Sequence, residues 1–386
     1  MDPANNNNNF ETNFGLDIFT NLLNSDGTTD GNDKNLIISP FLVEALLALL
    51  YLGSDGKTAE ELKAKLHIQR FPNNAKMASY FAGNLAAITQ NSPDTQLEIC
   101  SKIFVDEQHD LDMEFQKIAY KYFLTQTEKQ NLQHTKNIED LLKNCLQENL
   151  KKSAINFKIF QENCKALLLM AANFRNKWFL PFSAYRSGLY DFHVSSDCVK
   201  SIPMMLDNEM FVKFVELKEM DARAIELPYE HDDEISMLII LPNKRDGLAE
   251  LETKLKQVNL STIAEQMQME SVQLLLPKFQ IDFECSLKAV LEKLGFSLLF
   301  GEDSNFKNLL SPQSASSSLP IADILHKVCL DVHESGSESS NVEATKPIVI
   351  SNSIDTRQKF FRADHPFFFA IRNRDATYFM GHVVKF

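Results

Sequence analysis

Val332 to Phe360 reads VHESGSESSNVEATKPIVISNSIDTRQKF, a polar stretch of small residues between two strand-like segments, one ending at Val332 and the other starting near Phe361. Upstream, His326, Val328, Leu330 and Val332 alternate with Lys327, Cys329 and Asp331, the period-two pattern of a strand. Downstream, Phe361-Arg362-Ala363-Asp364-His365-Pro366-Phe367-Phe368-Phe369-Ala370-Ile371-Arg372 leads through a polar turn at Asn373 to Thr377 into Tyr378-Phe379-Met380-Gly381-His382-Val383-Val384. A connection this long without a helical period is uncommon in a compact domain, and such loops are usually either functional or disordered. This one reads as a segment presented to a partner.

Composition suits a large soluble domain. The 386 residues are 44% hydrophobic, and no Pro/Gly-rich linker, internal repeat or charge block divides them, so one domain spanning 1–386 is expected. Residues 1–10, with the run Asn5 to Asn9, read as a disordered lead-in. That segment lacks the charged-then-apolar profile of a secretory signal. The chain as written therefore points to the cytoplasm, and to the extracellular space if Met1 is not the native start. A net charge of -13 argues against nucleic acid, an anionic membrane and glycosaminoglycan, because nothing offsets phosphate or sulfate repulsion. The longest apolar run, Phe41 to Leu52, is the length of a core helix, too short to span a membrane.

Apparent chemical motifs dissolve on inspection. Gly56-Lys57-Thr58 lacks the glycine a P-loop requires five positions earlier, where Tyr51 stands. Gly53 and Gly56 read as a helix end and turn, with Thr58 capping the next helix and Glu61 completing a capping box. Ser39-Pro40 reads as N-cap and first-turn proline of the apolar helix. Asp364-His365 has no GxSxG nucleophile to serve. Six cysteines at 100, 145, 164, 198, 285 and 329 show no CxxC, and nine histidines show no HExxH, so neither zinc nor a disulfide framework is indicated. Asn259-Leu260-Ser261 is a glycosylation sequon that matters only for an exported chain. No metal, no cofactor and no enzyme are expected.

Strand, exposed loop, FxADHPF segment and closing hairpin, in this order at a C-terminus, resemble the serpin family. The resemblance covers nearly the whole chain. Asn35 to Leu66 (NLIISPFLVEALLALLYLGSDGKTAEELKAKL) looks like that family's buried central helix and the helix after it, and Asn173 to Phe182 (NFRNKWFLPF) like its strand and turn, with Trp178 in the matching place at the breach. Ile202-Pro203-Met204-Met205, Ile225-Glu226-Leu227-Pro228-Tyr229, Met237 to Pro242, Leu275-Leu276-Pro277-Lys278-Phe279 and Leu291-Glu292-Lys293-Leu294-Gly295-Phe296 match further motifs in register. The fold implied is α+β, with a large central mixed β-sheet, two further sheets, about eight or nine helices and an exposed reactive-centre loop at 333–359. The function implied is inhibition of a serine protease by a monomeric suicide substrate, with a cysteine protease as the other target class. The cleaved loop inserts as an extra strand in the central sheet and distorts the acyl-enzyme before it deacylates.

The loop's first half must become that strand. Glu334, Gly336, Ser337 and Glu338 match the family's hinge pattern, and Ser339 and Ser340 are small. Asn341, Val342 and Glu343 stand where inhibitory members carry small residues followed by threonine. By strand alternation Ser337, Ser339, Asn341, Glu343 and Thr345 share one face. Because the family tolerates glutamate at the position of Glu338, that first face is the buried one, and Glu343 would go inside. A buried carboxylate without a partner costs several kcal/mol or is protonated. The alternatives are that insertion stops short of Glu343 or that a cation or water meets it. In the family's polar cluster beneath the parting strands, Ser39 and His326 remain, while Leu42 and Met170 replace a serine and an asparagine, so His326 is expected half-buried and bonded to Ser39 or to backbone. Counting from the hinge places the reactive bond at Ile350-Ser351, and counting back from Phe361 places it at Asn352-Ser353. An inhibitor is the first reading, and a non-inhibitory member, substrate-like, chaperone-like or carrier-like, is the alternative.

Overall fold

The structure, a computed structural model, describes residues 3–24, 34–89, 96–150, 164–230, 235–314, 318–336 and 359–386. Two sheets organise it. The smaller runs in the order β10 (Phe279–Ser286), β11 (Ile321–Val332), β4 (Ala166–Arg175), β2 (Gln96–Asp106) and β3 (Thr125–Gln130). It is mixed: β10 pairs β11 and β2 pairs β4 antiparallel, while β11–β4 and β2–β3 are parallel. The larger sheet runs β1 (Leu36–Ile38), β14 (Thr377–Val383), β13 (Phe367–Arg372), β8 (Ser236–Pro242), β7 (Ala222–Pro228), β6 (Val199–Leu217), β9 (Gln268–Pro277) and β12 (Lys359–Arg362), with β5 (Gly188–His193) paired to β6. The two further sheets expected from sequence share the long strand β6, and so form one hydrogen-bonded path.

Helix α1 (Pro3–Leu23) replaces the lead-in expected at its start: the turns from Pro3 are continuous with a segment whose Phe14, Leu16, Ile18, Phe19 and Leu22 are buried in the main core. Helix α2 (Pro40–Gly53) is apolar except for Glu44, which pairs with Arg70, and Tyr51, and it is buried along all but its last turn. Its N-cap is Ser39, whose hydroxyl accepts from the Leu42 amide at 3.3 Å, as the sequence predicts. The predicted capping box of α3 (Gly56–Lys65) is absent, because the helix starts after Asp55. Thr58 and Glu61 instead accept from the distant amides of Asn305 and Leu298, tying α3 to another segment. Helices α4 (Asn74–Thr89) and α5 (Met113–Phe123) join α2 on the main core, while α6 (Thr135–Leu150) lies on the other face of the smaller sheet.

On β11, Ile324, Val328, Leu330 and Val332 face the main core, and His326 among them is fully buried. The alternate residue Leu325 faces α6 in a second, smaller cluster. Both faces of this strand are covered, so its two sets of residues are sorted by partner and not by polarity.

Candidate functional site

Beyond Val332 the chain does not continue as a strand; it turns back. The His333 amide donates to the Gly336 carbonyl at 2.7 Å and the Gly336 amide to the His333 carbonyl at 3.0 Å, closing a two-residue turn over Glu334 and Ser335. The turn is docked on the strand end that carries Trp178. The Trp178 amide donates to the Ser335 carbonyl at 2.8 Å, its indole Nε1 to the His333 carbonyl at 3.0 Å, and the Phe182 amide to the Glu334 carbonyl at 2.9 Å. Tyr229 stacks on the indole at 4.7 Å between ring centres, which fixes its plane.

Gly336 is required by this docking. Its φ of +138° lies where only glycine is at ease, and a Cβ there would stand 2.1 Å from the Asn176 carbonyl oxygen and 2.5 Å from the Lys177 Cα. We expect Gly336→Ala to release the turn from Trp178 at a cost of about 1–3 kcal/mol. A lower melting temperature of the intact protein, with its fold retained by circular dichroism, checks this.

Glu334, the first hinge residue, is buried and forms an ion pair with Lys278 between β9 and β10. Burial pushes its carboxyl up, but the Lys278 ammonium and the Ser187 hydroxyl more than offset that and hold it below the usual glutamate range. Sequence reasoning missed Lys278 as a hinge partner. It stands in the quoted motif Pro277-Lys278-Phe279, yet no local pattern links it to Glu334.

Beneath the β4–β11 junction, His326 is opposite Met170 in the parallel ladder. It is fully buried where a half-buried ring was expected, because α2 closes the main-core face over it. Its Nε2 accepts from the Ser39 backbone amide at 2.9 Å. The Ser39 hydroxyl goes elsewhere, donating to the Tyr378 carbonyl at 2.6 Å. Leu42 and Met170 are buried in the same core. Burial lowers the imidazole's pKa to about 4, opposed by a hydrogen bond with the Met170 backbone. His326 is thus a neutral imidazole in the closed sheet.

Other residues singled out from sequence are structural. His365 is held by Asp364 and the Pro242 carbonyl, both at 2.8 Å, so both ring nitrogens are occupied. Asn259 of the sequon caps a short helix by accepting from the Ser261 amide at 2.9 Å; its Nδ2 is buried, which removes it from reach of a glycosylating enzyme. The hinge residues Ser337, Glu338, Asn341 and Glu343, and both candidate reactive bonds, Ile350-Ser351 and Asn352-Ser353, lie outside the described residues. On the far side the chain re-enters the larger sheet at β12, parallel to β9.

Residues 9–386 match the family model described as Serpin (serine protease inhibitor). The chain is 29% identical over 358 residues to Serine protease inhibitor 42Dd of Drosophila melanogaster, covering 92% of each chain. It is 28% identical to Antichymotrypsin-2 of Bombyx mori, covering 95% of this chain and 96% of that one. Among solved structures, Serpin48 of Tenebrio molitor, described as a highly specific serpin, superposes with a TM-score of 0.85 at 26% identity, over 99% of this chain and 98% of that one.

Proposed function

This chain belongs to the serpin family, and from that premise we propose that it is a suicide-substrate inhibitor of a serine protease, with 333–359 as the bait and the β4–β11 junction as the place that takes up the cleaved strand. The observation that carries the reading is that β4 and β11 are paired directly in parallel while the chain after β11 folds back on itself. Parallel ladders are slightly less stable per residue than antiparallel ones. A strand entering between them from the turn would run antiparallel to both, replacing one parallel ladder by two antiparallel ones. Closed sheet and retracted turn together describe a molecule with work still to release.

The turn also supports a register for that strand. His333 is opposite Gly336, so if the pairing continues, each step forward along the loop meets one step back along β11. Ser337 then falls beside Val332, Ser339 beside Leu330, Asn341 beside Val328 and Glu343 beside His326, all on the main-core side. Directly opposed antiparallel residues share a face, so Glu343 would meet the buried imidazole of His326. A partner for this carboxylate would thus be met in β11.

The non-inhibitory reading keeps its own support in Asn341 to Glu343 and in Leu42 and Met170, which depart from the inhibitory pattern. Incubation with chymotrypsin-, elastase-, trypsin- and cathepsin-type proteases separates the two. An inhibitor gives a complex that survives SDS, its released peptide starting at Ser351 or Ser353. Cleavage by every protease without any such complex would leave the non-inhibitory reading standing.

A further inference from the structure

Cys100 of β2 and Cys145 of α6 bring their sulfurs to 2.8 Å, well inside ordinary non-bonded contact. Both side chains are buried. The inward face of α6, Ile138, Leu142, Cys145 and Leu146, recurs at helical spacing and packs on Phe104 of β2, Leu167 and Leu169 of β4, and Leu325 of β11. Cys100 is opposite Ala171 of β4, and Ala171 is opposite Lys327 of β11, so the sulfur contact lies level with the His326 region on the reverse face. None of the family motifs read above involves either cysteine.

We propose that Cys100 and Cys145 are an oxidisable dithiol, which a small disulfide such as oxidised glutathione converts into a cystine joining α6 to β2. One cysteine thiolate attacks the small disulfide and expels a thiolate. The second cysteine then attacks the mixed disulfide and expels another, so the protein loses two protons and two electrons and the reagent becomes two thiols. The hydrogen bond to Cys145, and then burial, hold the Cys100 thiol far above the ordinary range, so exchange is slow while α6 is seated and proceeds when it lifts.

A consequence rests on the function proposed above. A strand entering between β4 and β11 separates them by about 4.8 Å, one strand spacing. Helix α6 shares its core with Leu167 and Leu169 on one side of that gap and with Leu325 on the other, so opening the gap disturbs its seat. Tied to β2, it cannot lift clear, and insertion slows.

The test uses the full chain under native conditions. After exposure to oxidised glutathione, blocking of remaining thiols and digestion, a peptide joining Cys100 to Cys145 is expected, lighter by two hydrogens and split by dithiothreitol. It should vanish in both Cys100→Ser and Cys145→Ser, and the dithiothreitol reversal needs no variant at all. Recovery of both residues as blocked thiols, or as unresolved glutathione adducts, would overturn the site. For the consequence, the loop is nicked in oxidised and reduced protein, and the rate at which heat resistance appears is compared. Oxidation should slow it by about threefold or more, and reduction should restore it. Equal rates would overturn the coupling while the cystine stands. If neither form gains heat resistance, the insertion reading itself fails and the coupling falls with it, whereas the cystine is still judged by mass alone.

Discussion

Replacing Glu343 by Thr together with Asn341 by Ala is expected to shift the outcome of each encounter from hydrolysis toward covalent complex, so that fewer inhibitor molecules are consumed per protease trapped. Trapping is a race between insertion and deacylation. Every ~1.4 kcal/mol removed from the insertion barrier speeds it about tenfold, and burial of a charged group with one imperfect partner costs on that scale or more. The double variant also removes the only carboxylate on the inserted face between Ser337 and Thr345. His326→Gln should act in the opposite direction, because the carboxylate then enters without an imidazole to share a proton. If the double variant and the parent consume equal amounts of inhibitor, Glu343 does not limit insertion.

The same pair sets a pH dependence. In the closed sheet His326 is neutral down to about pH 4, since burial disfavours the imidazolium. Bringing Glu343 against it in a dry site leaves a net negative charge unless one proton is taken up, by the acid or by the ring. Proton uptake on insertion means that insertion becomes more favourable as pH falls toward the ordinary carboxylate range and less favourable as it rises. Insertion by the parent should therefore be faster near about pH 5.5 than near about pH 8, with the difference lost in the Glu343→Thr variant. A parent rate that is flat or slower in acid would remove Glu343 and His326 as a coupled pair.

A single nick between Lys346 and Ser353 is expected to raise the melting temperature by at least about 10 °C. The new strand would exchange the β4–β11 ladder for two and bury the face carrying Ser337, Ser339 and Asn341. Each ladder hydrogen bond contributes about 1 kcal/mol net, and a change of several kcal/mol moves the midpoint of a large domain by this amount. The intact loop is anchored at both ends, by the docked Gly336 turn and by β12 paired to β9, and a nick frees the first half from the second anchor. Calorimetry before and after a mapped nick decides it. An unchanged midpoint would show that the cleaved loop stays out, and inhibition by insertion would fall with it.

Much of this was legible in the linear chain because it depends on local repetition. Alternation along β11 assigns His326 to one face and Lys327 to the other before any partner is known. Ser39-Pro40 marks the start of α2 because a side-chain acceptor and a missing amide do the same work in any helix. The same reasoning failed at Thr58 and Glu61, where the capping pattern is spent on amides of Asn305 and Leu298. It also failed at residues 3–10, which are continuous with a helix whose later residues are buried in the main core.

What the sequence determined by itself is the fold class, through short motifs that resemble one family, and which residues of β11 share a face, since alternation along a strand follows from its period. Only the tertiary structure decided that β4 and β11 are closed on each other, that Lys278 holds Glu334, that His326 accepts from the Ser39 amide, and that Cys100 touches Cys145. These contacts join residues tens to hundreds of positions apart. No local period encodes them, because they depend on which of several compatible surfaces come together when the whole core is packed.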